Sequence, residues 1–497
     1  MKNILEELKP VPRPEKVLQF GEGNFLRAFA DWQIDIANEK TDFNGNIVLI
    51  QPLEQGMGDV INAQKGLYTV VLRGLRDGKT LEEFRPVTSV GRCLNPYSQF
   101  DEYLRCAENP DLRFVISNTT EAGIAHNAGD RLSDRPQRSF PGKAAAFLFR
   151  RFEHFRGDPS KALVFIPCEL IDKNGDRLRE IVEGYAREWN LGDAFLAWLA
   201  SCDFCNSLVD RIVPGYPREE AAAICEKLGY EDKLLVAAEI FHLWVIESKG
   251  EFPGDQGGEL ALLLKKAGLN VIRTDDMSFY RTRKVRILNG AHTSGVLAAY
   301  LYGLDTVEQC VRDPLINKMM RRAVFKEIIP FMEGNAAELI QYADEVLERF
   351  ANPFIKHQIL SIALNSVSKF KTRVLPSLTG YIAKTGEPPP ALSFSLAALI
   401  AFYQGTNRGG RELTGSRNGR AYPIRDDEEV LKRFAALYGA AQGDGAEKAR
   451  RIARAVLSSA DWWGEDLCAY PGLEDSVSAC LAAVWGSGIE SVIRGLV

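Results

Sequence analysis

Nine cysteines in 497 residues are few, and their number is odd. Scattered without framework spacing, they exclude a disulfide scaffold and read as reduced thiols. Cys202 and Cys205 in "CDFC" have redox or zinc half-site spacing. No second CxxC and no HxxxH accompanies them, so they too read as ordinary thiols. Histidine is scarcer still: the five, at 126, 154, 242, 292 and 357, lie far apart in sequence and none has ligand spacing. No metal is expected. The chain also lacks an excess of charge, its formal net charge being -5, and no dense Lys/Arg run interrupts it. That argues against nucleic acid and anionic membrane surfaces as partners. The longest apolar stretch, "ALSFSLAALIAFY" at 391–403, holds two serines and falls short of the roughly 20 residues that a membrane span needs. The N-terminal "MKNILEELKPVPRPEK" shows no signal-peptide core, so a cytoplasmic location is expected.

What is present, 46% hydrophobic and 26% charged residues over this length, is enough for more than one core. Short apolar runs, "KVLQF" (16–20), "IVLIQ" (47–51), "YTVVLRG" (68–74), "RFVISN" (113–118) and "ALVFIP" (162–167), alternate with helical stretches such as 24–38 and 176–190. Near-continuous apolar strands of this kind predict an α/β domain with a largely parallel sheet covered on both faces. "YTVVLRG" is read as an antiparallel departure. From about residue 276 the texture changes to amphipathic helices, over 278–302, 314–329, 336–350, 354–370, 391–404 and 446–459. The boundary is placed at about 270, giving a domain 1–270 and an all-α domain 271–497. The Gly- and Arg-rich "QGTNRGGRELTGSRNGRAYP" (404–423) reads as a surface loop.

Three motifs carry chemistry. "KVLQF" runs into "GEGNFLRAF", a GxG at a helix start, where small residues let backbone approach a pyrophosphate. This makes Gln19, Phe20, Gly21, Glu22, Gly23, Asn24 and Phe25 candidates for cofactor binding. Leu26 stands where a third glycine would be, and Gln51 stands where the second strand would end in an acid. No arginine follows in "QPLEQG", so local charge favours NAD(H) over NADP(H). The second motif, "RFVISNTTEAG", ends a strand in Asn118, Thr119, Thr120 and Glu121, suited to a nicotinamide ribose or to a helix cap. The third is "RKVRILNGAH". At roughly 100° per residue, Lys284, Asn289 and His292 fall near roughly 0°, 140° and 80°, on one broad helix face, beside Gly290.

Lys-x4-Asn-x2-His, with "NSLVDRIVP" and "FGEGNFLR", resembles the polyol-specific long-chain dehydrogenase family that includes mannitol dehydrogenase. The longer motifs "SNTTEAGI", "IPCELIDKNGD", "NPFIKHQILSIALN" and "AALIAFY" are similar to its hexuronate-reducing members. The resemblance implies a Rossmann-type N-terminal domain, a mainly α-helical C-terminal domain, and metal-independent hydride transfer between NAD(H) and a sugar acid in the cleft between them. It implies interconversion of D-altronate and D-tagaturonate. The alternatives are fructuronate reduction or polyol oxidation and, from another class, a dinucleotide sensor without turnover. It casts Lys284 as general acid/base and Asn289 and His292 as holders of the reacting oxygen. Where mannitol dehydrogenase-like members carry a further asparagine, this chain has Leu170; Asn174 is the nearby candidate. For a substrate carboxylate, "KFKTR" offers Lys369, Lys371 and Arg373.

Overall fold

In the strand Glu15–Phe20 (β1), Val17 belongs to one apolar cluster while Leu18 and Phe20 belong to another. The same alternation holds for Leu49 and Ile50 in Asn46–Ile50 (β2), and for Ile116 and Val115 in Phe114–Ser117 (β4). From Val17 onward every side chain of these strands is buried, which is why they read as unbroken apolar runs. With Val90–Leu94 (β3), Val164–Pro167 (β5) and Asp203–Phe204 (β6), they form a six-stranded sheet in which all five neighbouring pairs are parallel. Its order is β3-β2-β1-β4-β5-β6, the doubly wound order of dinucleotide-binding folds. Helix α1 (residues 24–40) covers one face; Phe140–His154 (α2) and Asn174–Glu188 (α3) cover the other.

The structure is a computed structural model that describes residues 1–76, 78–119, 123–248, 256–407, 412–441, 443 and 445–497. The chain divides into two compact units, Met1–Gly74 with Lys79–Ser278, and Leu75–Gly78 with Phe279–Val497. The sequence-based boundary near 270 compares with this division after Ser278. "YTVVLRG" lies outside the six-stranded sheet, in a three-stranded one, where it stands between Val236–Glu239, with which it pairs in parallel, and Lys79–Val87.

The second unit is built on its own large apolar cluster. A helical rod, α4 (residues 278–302), contains a π turn at Lys284–Asn289. Around it stand Ala336–Phe350 (α5), Ser366–Arg373 (α6) and Pro390–Phe402 (α7). The residues of α7 from Ala391 to Phe402 are all buried, so its apolar run is a core helix. No helix among the described residues is long and apolar enough to cross a membrane.

Two sequence expectations fail here. The helix expected over 354–370 is two helices, Ile359–Ile362 and α6, because the chain before them pairs sideways: Val307 N–H donates to His357 O, and Thr306 bridges Gln358. The expected loop 404–423 forms a sheet of Gly405–Asn407, Leu413–Arg417 and Arg420–Ile424, with Leu413, Tyr422 and Ile424 buried. Residues 408–411 of that stretch lie outside the described residues.

Candidate active site

The first unit offers a candidate nucleotide site at the β1–α1 turn. Gly21 has φ +115°, and a Cβ there would come within 3.0 Å of Asn118 O, so the turn crosses the end of β4 at backbone contact. Gly23 precedes α1 in extended conformation with no side-chain cap, and a Cβ on it would meet nothing within 4 Å. An uncapped helix N-terminus facing open space fits a pyrophosphate. The flanking side chains serve the turn itself. Gln19, with no solvent exposure, donates to Gly21 O at 3.0 Å, and Phe20 packs on Tyr103 and Phe140 in the core. Asn24 accepts from Arg27 at 2.7 Å, and Phe25 stacks on Phe29. Gln19 and Phe20 therefore offer a cofactor backbone at most.

Glu22 differs from these neighbours. Its carboxylate reaches the loop after β2, where Met57 N–H donates to it at 3.4 Å, and burial raises its pKa. Below it Arg27 is buried, with its guanidinium donating to Glu22 O, Leu234 O and Asn24 Oδ1.

At the end of β4, Asn118 Nδ2 donates to Cys168 O at 2.9 Å. Ser117 Oγ, Thr119 N and Thr119 Oγ1 all donate to Glu169, at 3.0, 2.9 and 2.9 Å. Glu169 is a buried carboxyl whose pKa burial raises, and no spacing signal in the sequence singled it out. Thr120 and Glu121 lie outside the described residues. Asn174 is fully buried: its amide donates to Pro167 O, Glu169 O and Ser207 O, and its Oδ1 accepts from Gly175 N and Ser207 N. That corrects the expectation of a substrate ligand, since every hydrogen-bonding position is occupied by the protein.

The second unit offers the acid/base candidates. In a π turn the hydrogen bond runs from i to i+5, so the residue stacked one turn beyond Lys284 is Asn289. The angle of roughly 140° that α-helical geometry assigns them is too wide. Both are partly exposed, while His292 is 6% exposed, its ring stacked on Phe350 at 4.0 Å between centroids. The edge of His292 meets His357 at 5.5 Å, a partner that sequence spacing did not reveal. Gly290 lets α6 approach, since a Cβ there would touch Arg373 O at 3.4 Å.

On α6, Arg373 donates to Thr293 Oγ1 at 3.5 Å, and Lys369 donates to Ile362 O at 2.8 Å. Burial lowers the pKa of both, and the charge of Arg373 lowers Lys369 further. Neither forms an ion pair among the described residues. His357 is pushed below its ordinary range by burial and then by Lys369, so it is neutral at pH 7. Lys371 points away, toward Gly464. Arg286, lowered to about 10 by burial, donates to Ser377 Oγ at 2.6 Å. A cavity of about 1090 Å³ in this unit is lined by residues such as Leu301, Tyr438 and Trp485, nearer the far end of α4, and does not hold this cluster.

Among the described residues, no group of three or more His, Cys, Asp or Glu could hold a metal ion. Cys202 and Cys205 are buried and unbridged, and burial pushes Cys202 up to about 12.

Residues 15–255 match the mannitol dehydrogenase Rossmann domain, and residues 276–485 match the mannitol dehydrogenase C-terminal domain. Similar curated proteins include the altronate oxidoreductase of Cronobacter sakazakii, 48% identical over 97% of both chains. That of Yersinia enterocolitica is 48% identical over 97% of this chain and 96% of the other. A substrate-free D-sorbitol dehydrogenase shares the fold at TM-score 0.77 and 22% identity, covering 97% of this chain and 95% of its own. Pseudomonas fluorescens mannitol 2-dehydrogenase, in complex with NAD and D-mannitol, aligns at TM-score 0.67 and 20% identity over 100% and 99%. With both domains matched in order along the sequence, the chain belongs to the mannitol dehydrogenase family.

Proposed function

We propose that this protein is an NAD(H)-dependent oxidoreductase that interconverts D-altronate and D-tagaturonate. The observation that carries the sugar-acid part is the pair Lys369 and Arg373: two half-buried cations one turn apart, held by neutral oxygens, beside the helix that bears Lys284, Asn289 and His292. A desolvated cation pair that forms no ion pair among the described residues, with Asp426 acting on Lys369 only at longer range, suits an anionic ligand. The altronate oxidoreductases that share 46–48% identity with this chain support the specific substrate.

The first unit holds the dinucleotide, with the backbone of Gly21 to Phe25 and the N-terminus of α1 toward its pyrophosphate. When bound, the nicotinamide exchanges a hydride with the substrate carbon. In the oxidative direction Lys284 removes the proton from the reacting hydroxyl, and in the reductive direction it returns one to the carbonyl oxygen. Asn289 donates its amide N–H to the developing alkoxide, and His292 fixes that oxygen's position. Lys369 and Arg373 hold the carboxylate at the far end of the sugar chain. The domain limits proposed for this division of labour are 1–270 and 271–497.

The test is a panel of tagaturonate, fructuronate, altronate, mannitol and sorbitol, with NADH or NAD, followed by nicotinamide absorbance. Tagaturonate with NADH, and altronate with NAD, are expected to be turned over best. A preference for fructuronate would move the assignment to that sister activity. Oxidation of polyols without turnover of uronates would overturn the role of Lys369 and Arg373.

A further inference from the structure

In doubly wound dinucleotide-binding folds the carboxylate that receives the adenosine ribose 2′-hydroxyl stands at the end of the second strand. Here that place is taken by Gln51, which is 3% exposed. Its Nε2 donates to Leu53 O at 2.8 Å and Glu54 O at 2.9 Å, and its Oε1 accepts from Gly58 N at 3.2 Å. The amide therefore shapes the loop after β2. The only carboxylate that the described contacts bring against Gln51 comes from the other side, from the β1–α1 turn. A Cβ on Gly56 would lie 2.3 Å from Glu22 Oε1 and 2.5 Å from Gln51 Cδ, so the loop closes on both side chains together. Met57 N–H, donating to Glu22 Oε1 at 3.4 Å, fixes the carboxylate there.

We infer that Glu22, rather than a residue at the end of β2, is the carboxylate that receives the adenosine ribose and rejects a 2′-phosphate. The inference rests on reading the Gly21–Gly23 turn as a dinucleotide site. Charge supports it. The cation that acts on Glu22 is Arg27, which is 1% exposed and engaged with three oxygens of the protein. Arg73, a more distant candidate for a 2′-phosphate, is ion-paired with Glu82 and Glu220. A dianionic phosphate brought against the carboxylate would meet repulsion in a half-desolvated place, whereas a ribose hydroxyl would donate to it.

The experiment measures dissociation constants by calorimetry for NADH, NADPH, 5′-AMP and adenosine 2′,5′-bisphosphate, on the full chain and on Glu22→Gln. The wild type is expected to prefer NADH to NADPH, and AMP to the bisphosphate, by at least about tenfold. Glu22→Gln is expected to shrink both preferences by at least about fivefold. The gain should come from tighter NADPH and bisphosphate, because a glutamine no longer repels phosphate. If the substituted chain does not fold, as judged by circular dichroism, Glu22→Asp retracts the charge without removing it. It is then expected to weaken NADH several-fold while still rejecting NADPH. Unchanged preferences in Glu22→Gln, or unchanged NADH affinity in Glu22→Asp, would overturn the assignment and leave the dinucleotide site standing. Failure of the wild type to bind any of the four would overturn the dinucleotide reading itself.

Discussion

Lys284 and Arg373 are proposed to act on different parts of one substrate, so their substitutions should fail differently. Replacing Lys284 by alanine removes the positioned acid/base, an effect on the order of 10² to 10⁴-fold in kcat. Binding of NADH should survive, because the residues proposed for it belong to the first unit. Rapid-quench turnover and NADH titration on the same preparation check both halves; near-wild-type kcat would remove Lys284 from the mechanism. Arg373→Ala removes a charge-assisted contact worth about 1.5–3 kcal/mol, or roughly 10- to 150-fold in kcat/KM. It should fall mainly on KM for the uronate and hardly on mannitol, which has no carboxylate. Equal losses on both substrates would show that Arg373 acts by holding Thr293 on α4 and not by binding the acid. Asn174 is different again, because its hydrogen bonds are all internal. Its role is to join the end of β5 to the start of α3.

At the scale of elements, the β1–α1 turn depends on one backbone conformation. Gly21→Ala would put a side chain at φ +115° and 3.0 Å from Asn118 O, a strain of about 1–3 kcal/mol. We expect weaker NADH binding, by at least about fivefold, with Lys284 chemistry intact at saturating cofactor. Wild-type NADH affinity in this variant would mean that the turn can shift without harm. The strands of the first unit were legible because burial on both faces writes itself as apolar runs. Their order was not legible, since pairing is a long-range property. In the second unit, periodicity showed that Lys284, Asn289 and His292 share a face. It could not show the π turn that stacks Asn289 on Lys284, which depends on backbone hydrogen bonds and not on residue types. His357 escaped for a related reason: a pairing with residues 306 and 307, far away in sequence, carries it to the edge of His292. The polar composition of 404–423 masked the few residues, Leu413, Tyr422 and Ile424, that anchor a sheet.

For the whole molecule, stability against pH turns on groups that the fold keeps uncharged. Asp31 lies in the π segment of α1 with no solvent exposure, and desolvation is the main cause that raises its carboxyl from 3.8 to about 7. Tyr68, which donates to Oδ2 at 3.1 Å, favours the ionised form but does not offset burial. The unfolded chain ionises Asp31 from about pH 3.8 upward, while the folded chain holds the proton to about 7. Between these values unfolding releases a proton, so stability falls as pH rises, and above about 7 the penalty is constant. His357 works in the opposite sense: its folded pKa lies below 6.5, so stability is lost as pH falls below that value. Asp31→Asn separates the two. The amide keeps the shape and cannot ionise, so the variant should gain melting temperature relative to the wild type at pH 8 and much less at pH 5. Across the roughly 2 pH units between 5 and 7, at about 1.4 kcal/mol per unit, the difference is on the order of 3 kcal/mol. Thermal melts of both chains at pH 5, 6, 7 and 8 measure it. Curves that stay parallel over that range would show that Asp31 is ionised in the fold throughout, with the guanidinium of Arg27 and the Tyr68 hydroxyl sufficient to hold its charge.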